Sequence, residues 1–465
     1  MKSILIVTEQ FTLGGLETHI QGEIRQLAEH GITVHLACGS LFDDAFLPSS
    51  ICTVYSGIPL GASASAGDLL TEINTLRASI REREIEAVHA RPFTSIIPAV
   101  AAAELEGVPC AITLHGPASL TSYGPTYDLL FKDIILSNAP LVIAVSPEVR
   151  NMILPHAECD AVMYIPNSVS FSESSPTFLD HDDNDPRWLV VSRLDEFKIQ
   201  GILDFCIKAH RIGIPGVLIV GNGPAKEDLL QALAIRDLSD FAELAGARID
   251  IPELMRRSSG VAGMGRVVLE GAAARKSTVL VGYDGVKGVV DAQMLKSAAS
   301  NNFSGRGLPT IDLTCFAKQF HTKTTLEITS ENYFFARESF SEDKSWRFFI
   351  QLLSGMRSTK PSLITAFYHF LAEIASRENT PYLQSREIID HLGTLAGSKT
   401  YYDERLLSII AVHRQRLEES RRNQALSIRD GQIASLNQAA VERDRQIASL
   451  NQAVAERDGQ VASLN

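Results

Sequence analysis

Residues 188–198 read WLVVSRLDEFK. The apolar run Trp188–Ser192, with adjacent β-branched Val190 and Val191, has the character of a buried strand. It feeds straight into Arg193 and Lys198, and Ile202–Ile212 then takes up helical spacing. Downstream the alternation continues. A strand is expected at Val217–Val220, a helix at Lys226–Ile235, a strand at Phe241–Leu244, a short helix at Pro252–Arg257, a helix from about Gly265 and a strand at Thr278–Val281. Strands that alternate with helices call for a parallel sheet covered on both faces.

Upstream, residues 171–187 (FSESSPTFLDHDDNDPR) are polar, acidic and proline-containing, and read as a linker. Asp182, Asp183 and Asp185 within it read as a solvated acidic loop rather than a metal site. Before the linker the alternation is already present. Strands are expected at Ser3–Thr8, Thr33–Cys38, Ala87–Ala90, Cys110–Leu114 and Leu141–Val145, and helices at Leu16–His30, Leu69–Glu84, Ser95–Leu105 and 127–138. The fold class is therefore α/β, with two tandem Rossmann-like domains facing across a cleft. The expected division is 1–170, a linker 171–187 and 188–358, followed by a helical extension 359–420 and a heptad-repeat tail 421–465.

The tail is a 14-residue repeat: RDGQIASLNQAAVE, RDRQIASLNQAVAE and RDGQVASLN, from 429 to 465. Ile433, Ala440, Ile447, Val454 and Val461 fall at heptad position a, and Leu436, Leu450 and Leu464 at d. Arg443 and Arg457 take the alternate d sites, which weakens the seam. The tail is expected to be a coiled-coil stalk that makes the chain a homo-oligomer.

Composition narrows the function. The 465 residues are 45% apolar and 21% charged, so wholesale disorder is excluded. A net charge of −12 argues against nucleic acid as a partner. The six cysteines contain no C-x-x-C pair and read as free thiols in a reducing compartment. The N-terminal apolar run, Ile4–Val7, is too short for a signal-peptide core. The longest apolar stretch, Ile96–Ala103, contains Pro98 and is too short for a membrane span. A cytoplasmic protein is expected, with peripheral membrane association compatible with the sequence.

Ligands of such folds bind beyond the carboxyl ends of the strands, so residues there are the candidates. Gly14 and Gly15 lie between the first strand and the first helix, where backbone amides can meet an anion. His115 and Gly116 end the strand Cys110–Leu114. Arg193 and Lys198, one a fork and one a point charge, suit a diphosphate. Gly221 and Gly223 make a close-approach turn after Val217–Val220. Val267 and Val268 offer amides in the first turns of a helix, and Glu270 suits ribose hydroxyls.

In this order the segments resemble glycosyltransferase family 4, retaining nucleotide-sugar enzymes of the GT-B fold. They are Gly14-Gly15-Leu16-Glu17, His115-Gly116, Val145-Ser146-Pro147-Glu148, Ile165-Pro166-Asn167-Ser168-Val169-Ser170, Ser192-Arg193-Leu194 with Lys198, Gly221-Asn222-Gly223-Pro224, and Ala336-Arg337 with Phe340-Ser341. The resemblance covers about residues 1–358. It implies a UDP- or GDP-sugar donor, no cofactor or metal, and a glycan, lipid-linked or protein acceptor in surface polysaccharide or glycan synthesis. It implies Arg193 and Lys198 on the donor diphosphate, aided by the Gly15 loop and the amides near Val267 and Val268. Glu270 would hold the ribose and His115 would touch the transferred sugar. One departure stands out. The family's E-x7-E pattern has its second carboxylate at Glu270, but its first position is Ala262. A catalytically degenerate scaffold assembled through the tail is the alternative, and a sugar-nucleotide epimerase a third.

Overall fold

The computed structural model describes residues 1–12, 14–48, 51, 53–171, 185–356, 363–375, 381–382, 385–398 and 403–462; from Leu436 on it describes few side chains. Two sheets stand in series. The first holds β1 (Ser3–Thr8), β2 (Thr33–Cys38), β3 (Thr53–Tyr55), β4 (Ala87–Ala90), β5 (Cys110–Leu114), β6 (Leu141–Ala144) and β7 (Val162–Tyr164) in the order β3-β2-β1-β4-β5-β6-β7. All of its pairings are parallel. The second holds β8 (Asp185–Val191), β9 (Val217–Val220), β10 (Ala242–Gly246), β11 (Ser258–Gly263), β12 (Ser277–Val281) and β13 (Val286–Val289) in the order β10-β9-β8-β11-β12-β13. Only β13, at the edge, runs antiparallel to its neighbour.

Each sheet has a switch point, where the strand order reverses direction in sequence. In the first it lies between β1 and β4, in the second between β8 and β11. Such points open a crevice at the carboxyl ends of the strands. The central strands are fully buried, as in Ile4, Leu5, Ile6 and Val7 of β1, because helices cover both faces of a parallel sheet.

The sequence does not announce β11. Its residues, SSGVAG, are mostly small and carry little strand propensity. They form a strand because Gly260 lets the Trp188 indole lie flat against the backbone; a Cβ there would overlap the ring. Ala262 pairs in register with Val190 of β8 and Val279 of β12 and is wholly buried. Of the three acidic-loop candidates, Asp182 and Asp183 lie outside the described residues. Asp185 begins β8 and pairs with Arg187 at 2.7 Å.

After the helix Leu326–Phe340 the chain returns to the first lobe. The helix Glu342–Gly355 buries Trp346, Phe349 and Leu353 against Ile20, Ile24 and β1–β2. The helices Leu363–Ile374 and Arg386–Ala396, with Leu406, Ile410 and Leu417, cover the opposite face of that lobe. The extension is thus an extra layer on the first lobe. The final helix runs Glu404–Ala462, about 90 Å at 1.5 Å per residue. His413 Nε2 pins its base to Asp133 at 2.7 Å, and Ile428 and Ile433 are exposed farther along. The heptad side chains from Leu436 on lie outside the described residues. Among the described residues no helix is long and apolar enough to cross a membrane.

Candidate active site

Four loops meet where the two switch points face each other. They follow β1, β4, β8 and β11. Arg193 stands on the third, whereas Lys198 lies in the first turn of the helix Glu196–Arg211 that follows it, and the two share one carboxylate. Arg193 Nε is 2.9 Å from Asp195 Oδ1, and Lys198 Nζ is 3.1 Å from Asp195 Oδ2. Arg193 is 64% exposed, so its fork stays within reach of a ligand. It also faces the other lobe. Glu17, buried in the first turn of the helix Gly15–Glu29, has its pKa raised by burial, an effect opposed by Gln10 and by the charge of Arg193.

The glycine turn after β9 supports this loop. Gly221 takes φ +142°, which favours glycine, and a Cβ there would overlap Ser192 O. At Gly223 a Cβ would overlap Leu194 O. Leu194 N donates to Asn222 O at 3.0 Å and Ala225 N to Leu194 O at 3.0 Å. The close approach that the sequence suggests is therefore made to backbone 192–194, and it fixes Arg193 in place.

Gly14 is extended (φ −171°), and a side chain there would overlap the Glu17 carboxylate, whereas Gly15 faces open space. Beyond β11 the connection to the helix Arg266–Ala273 is short. Val268 is buried and its amide donates to Gly265 O at 3.2 Å, so it is already engaged; Val267 is half-buried in the same first turn. Glu270 Oε1 is held by Arg266 Nε at 3.1 Å. Arg266 also donates to Ser168 O and lies 3.6 Å from Glu342, which in turn meets Arg25 at 3.5 Å. A chain of charges therefore runs from the first lobe to Glu270.

His115 ends β5 on the first-lobe side. Its Nε2 lies 2.9 Å from Arg91 Nη1, and its ring stands edge-on to His19 at 4.8 Å. Behind Arg91, Glu23 takes the other guanidinium nitrogen and, at 2.5 Å, His89 Nδ1. Burial and then the Arg91 charge hold His115 far below the ordinary imidazole value. His89 is lowered to about 4 by burial and Arg91. Burial opposes the charge on Glu23, but Arg91 and His89 outweigh it and keep the carboxyl below its usual range.

The remaining motifs join the lobes. Ser146 Oγ caps the helix Pro147–Ile153, and Glu148 receives Arg306 from the second lobe, with Nε to Oε1 at 3.0 Å. Asn167 Nδ2 donates to Asn302 Oδ1 at 2.9 Å, and Val169 N donates to Phe340 O at 2.9 Å. Arg306 also touches Tyr283, which packs edge-on against Phe197 beside Lys198.

The strand-end rule that picks out His115 would also have found Arg91, since it follows β4 directly. Glu23 and Arg266 give no such signal. Glu23 reads as an ordinary helix residue, and Arg266 follows a strand that small residues conceal.

Residues 13–173 match the family model described as Glycosyltransferase Family 4. No curated protein matches the chain. Among solved structures, a glycosyltransferase from Rickettsia africae is 16% identical, with TM-score 0.56 over 76% of this chain and 98% of that one. HepE from Anabaena, solved in complex with UDP and glucose, is 19% identical, with TM-score 0.56 over 77% of this chain and 100% of that one. A sucrose-phosphate synthase from Thermosynechococcus elongatus is 13% identical, with TM-score 0.55 over 77% and 100%. At these identities the likeness is one of architecture: the chain has the two-lobed GT-B fold, with a Glycosyltransferase Family 4 match in its first lobe.

Proposed function

We propose that the chain is a retaining glycosyltransferase that moves a sugar from a nucleotide diphosphate donor to a glycan, lipid-linked or protein acceptor in surface polysaccharide or glycan synthesis. One observation carries this reading. Two cations, Arg193 and Lys198, are held by one carboxylate at the second lobe's switch point, with Arg193 reaching toward Glu17 of the first lobe. HepE, of the same fold, has been solved with UDP-glucose, which makes UDP the first donor nucleotide to try.

In this reading the Arg193 fork and the Lys198 charge bind the diphosphate and stabilise it as it departs, the largest kind of catalytic contribution in such sites. No metal is needed for that charge. The bond from the anomeric carbon to the leaving oxygen breaks, and the acceptor oxygen bonds to the same face. The acceptor proton passes to the departing phosphate oxygen. Glu270, steadied by Arg266, faces the ribose. The tail would bring copies of the chain together, and the enzyme would act in the cytoplasm or at a membrane surface.

The test is release of nucleotide diphosphate from a panel of UDP- and GDP-sugars, with an acceptor extract, with and without EDTA. Transfer that survives EDTA and is lost in Arg193→Ala is expected. Ala262 favours a second reading, a degenerate scaffold, because no carboxylate stands at the first E-x7-E position. UDP binding without consumption of any donor would select it.

A further inference from the structure

We infer that Arg91, anchored by Glu23, is a positioning residue that holds His115 as a neutral ring with its proton on Nδ1. The inference rests on the glycosyltransferase reading for its meaning, not for its geometry. A guanidinium has only donors. Arg91 Nη1 stands 2.9 Å from His115 Nε2, so that nitrogen must offer its lone pair. Arg91 cannot turn away. It is 0% exposed, its Nη2 is bound to the equally buried Glu23, and the Trp346 ring lies 5.8 Å from the guanidinium carbon. Glu23 is fixed in turn by His89, whose Nε2 lies 2.7 Å from the Thr113 hydroxyl.

Asn167 lies beside the His115 side chain, and its buried Oδ1 has no hydrogen-bond partner among the described residues, so it is available to accept a proton from that ring. The Asn167 amide donates to Asn302, and Asn302 Nδ2 returns to His115 O at 3.2 Å. His115 N donates to Ser119 Oγ at 3.0 Å. Hydrogen bonds therefore run from Arg91 to the His115 ring, and from Asn167 to Asn302 of the second lobe and back to the His115 carbonyl. Asn167 belongs to the Ile165-Pro166-Asn167 motif, and this gives it a task.

The titratable groups that face His115 resist a second proton, and only the neutral Asn167 amide favours one. Those titratable groups are His19 from the helix Gly15–Glu29, His89 and Arg91 from β4 and its end, and Arg266 from across the groove. The one nearby anion, Glu23, is spent on Arg91 and His89. His115 therefore meets a sugar as a neutral wall and not as a base. That agrees with an acceptor proton that leaves on the diphosphate.

The experiment is 15N NMR of histidine-labelled protein, with His115 assigned through His115→Gln. The expected wild-type spectrum shows an unprotonated Nε2 and a protonated Nδ1 that persist well below the ordinary value of about 6.5. A proton on Nε2, or an imidazolium at pH 6, overturns the inference. The double variant Arg91→Met/Glu23→Gln removes the pair without stranding a buried charge. In it His115 should titrate closer to the ordinary value, and donor turnover should gain an acid limb, falling about tenfold per pH unit below that value, whereas Arg91→Lys should restore the flat profile. A double variant that folds yet keeps the wild-type tautomer and a flat profile also overturns it. The spectra need no turnover. An intact tautomer in an inactive protein would count against the glycosyltransferase reading alone.

Discussion

Replacing Arg193 by Ala isolates the cationic pair from the fold. The Arg193 side chain is mostly exposed, and its described ion pair is with Asp195. An exposed pair of this kind is worth about 0–1 kcal/mol, so the melting temperature should barely move. Lys198 still holds Asp195 at 3.1 Å, and the loop is fixed independently by the Gly221 and Gly223 contacts. Binding should respond quite differently. A hydrogen bond from a cation to a diphosphate oxygen contributes about 1.5–3 kcal/mol. At 1.4 kcal/mol per tenfold, that is a roughly 10- to 150-fold loss of UDP affinity. The loss should shrink as salt rises, because the Debye length falls from about 10 Å at 0.1 M to about 3 Å at 1 M. Lys198→Ala should cost a similar amount. The double variant should fall short of the sum, since both cations share one partner and one ligand. Isothermal titration with UDP at two salt concentrations, beside a thermal melt, makes the measurement. An Arg193→Ala protein that melts like the parent and binds UDP within about twofold of it would refute the assignment of this pair to the diphosphate.

Two further outcomes follow from the same structure. Ala262→Glu would force a carboxylate into the interior between β8 and β12, where Ala262 is 0% exposed. Overpacking and polar burial should together cost about 3 kcal/mol or more, read by urea unfolding; a stable variant with improved transfer would show that this position reaches the groove. Deleting 429–465 should lower the oligomeric state by light scattering while UDP affinity is retained, and an unchanged mass per particle of truncated subunits would remove the tail from assembly.

Much of the architecture is legible because period and placement carry it. The run Trp188–Val191 is apolar and partly β-branched, it ends in a charged turn, and the structure makes it one side of the second switch point. His115 and Arg193 lie just past strand ends, and Lys198 in the first turn of the helix that follows. What escapes is decided by partners far away in sequence. Gly260 marks a strand only once Trp188 is known to lie against it. The amphipathic face of Glu342–Gly355 says that Trp346 and Phe349 are buried, but not that they are buried on the first lobe. The β13 edge strand and the short strands β3 and β7 hold on by a few backbone pairs, too few to leave a pattern. Glu23 is the sharpest case. It is a wholly buried carboxylate on a helix, invisible until β4 brings Arg91 and His89 to it.

The residue at the first E-x7-E position lies inside the sheet. β11 ends at Gly263 and the next helix begins at Arg266, with Gly265 at φ +65° making the turn. Ala262 stands one residue inside the end of β11, wholly buried between Val190 and Val279. A Glu placed there by substitution starts from a buried position and is expected to strain the sheet before it meets a sugar. The groove-facing residue of this connection is Arg266, and it is cationic, already bound to Glu270, Glu342 and Ser168 O. A donor sugar held here would find no acidic partner on that loop. Recognition of its hydroxyls must come from the opposite wall, which the Glu23–Arg91–His115 string keeps rigid. Selectivity for the donor sugar would then rest on the first lobe, and exchanging the residues around His115 should alter sugar preference more than exchanging any residue of the loop after β11.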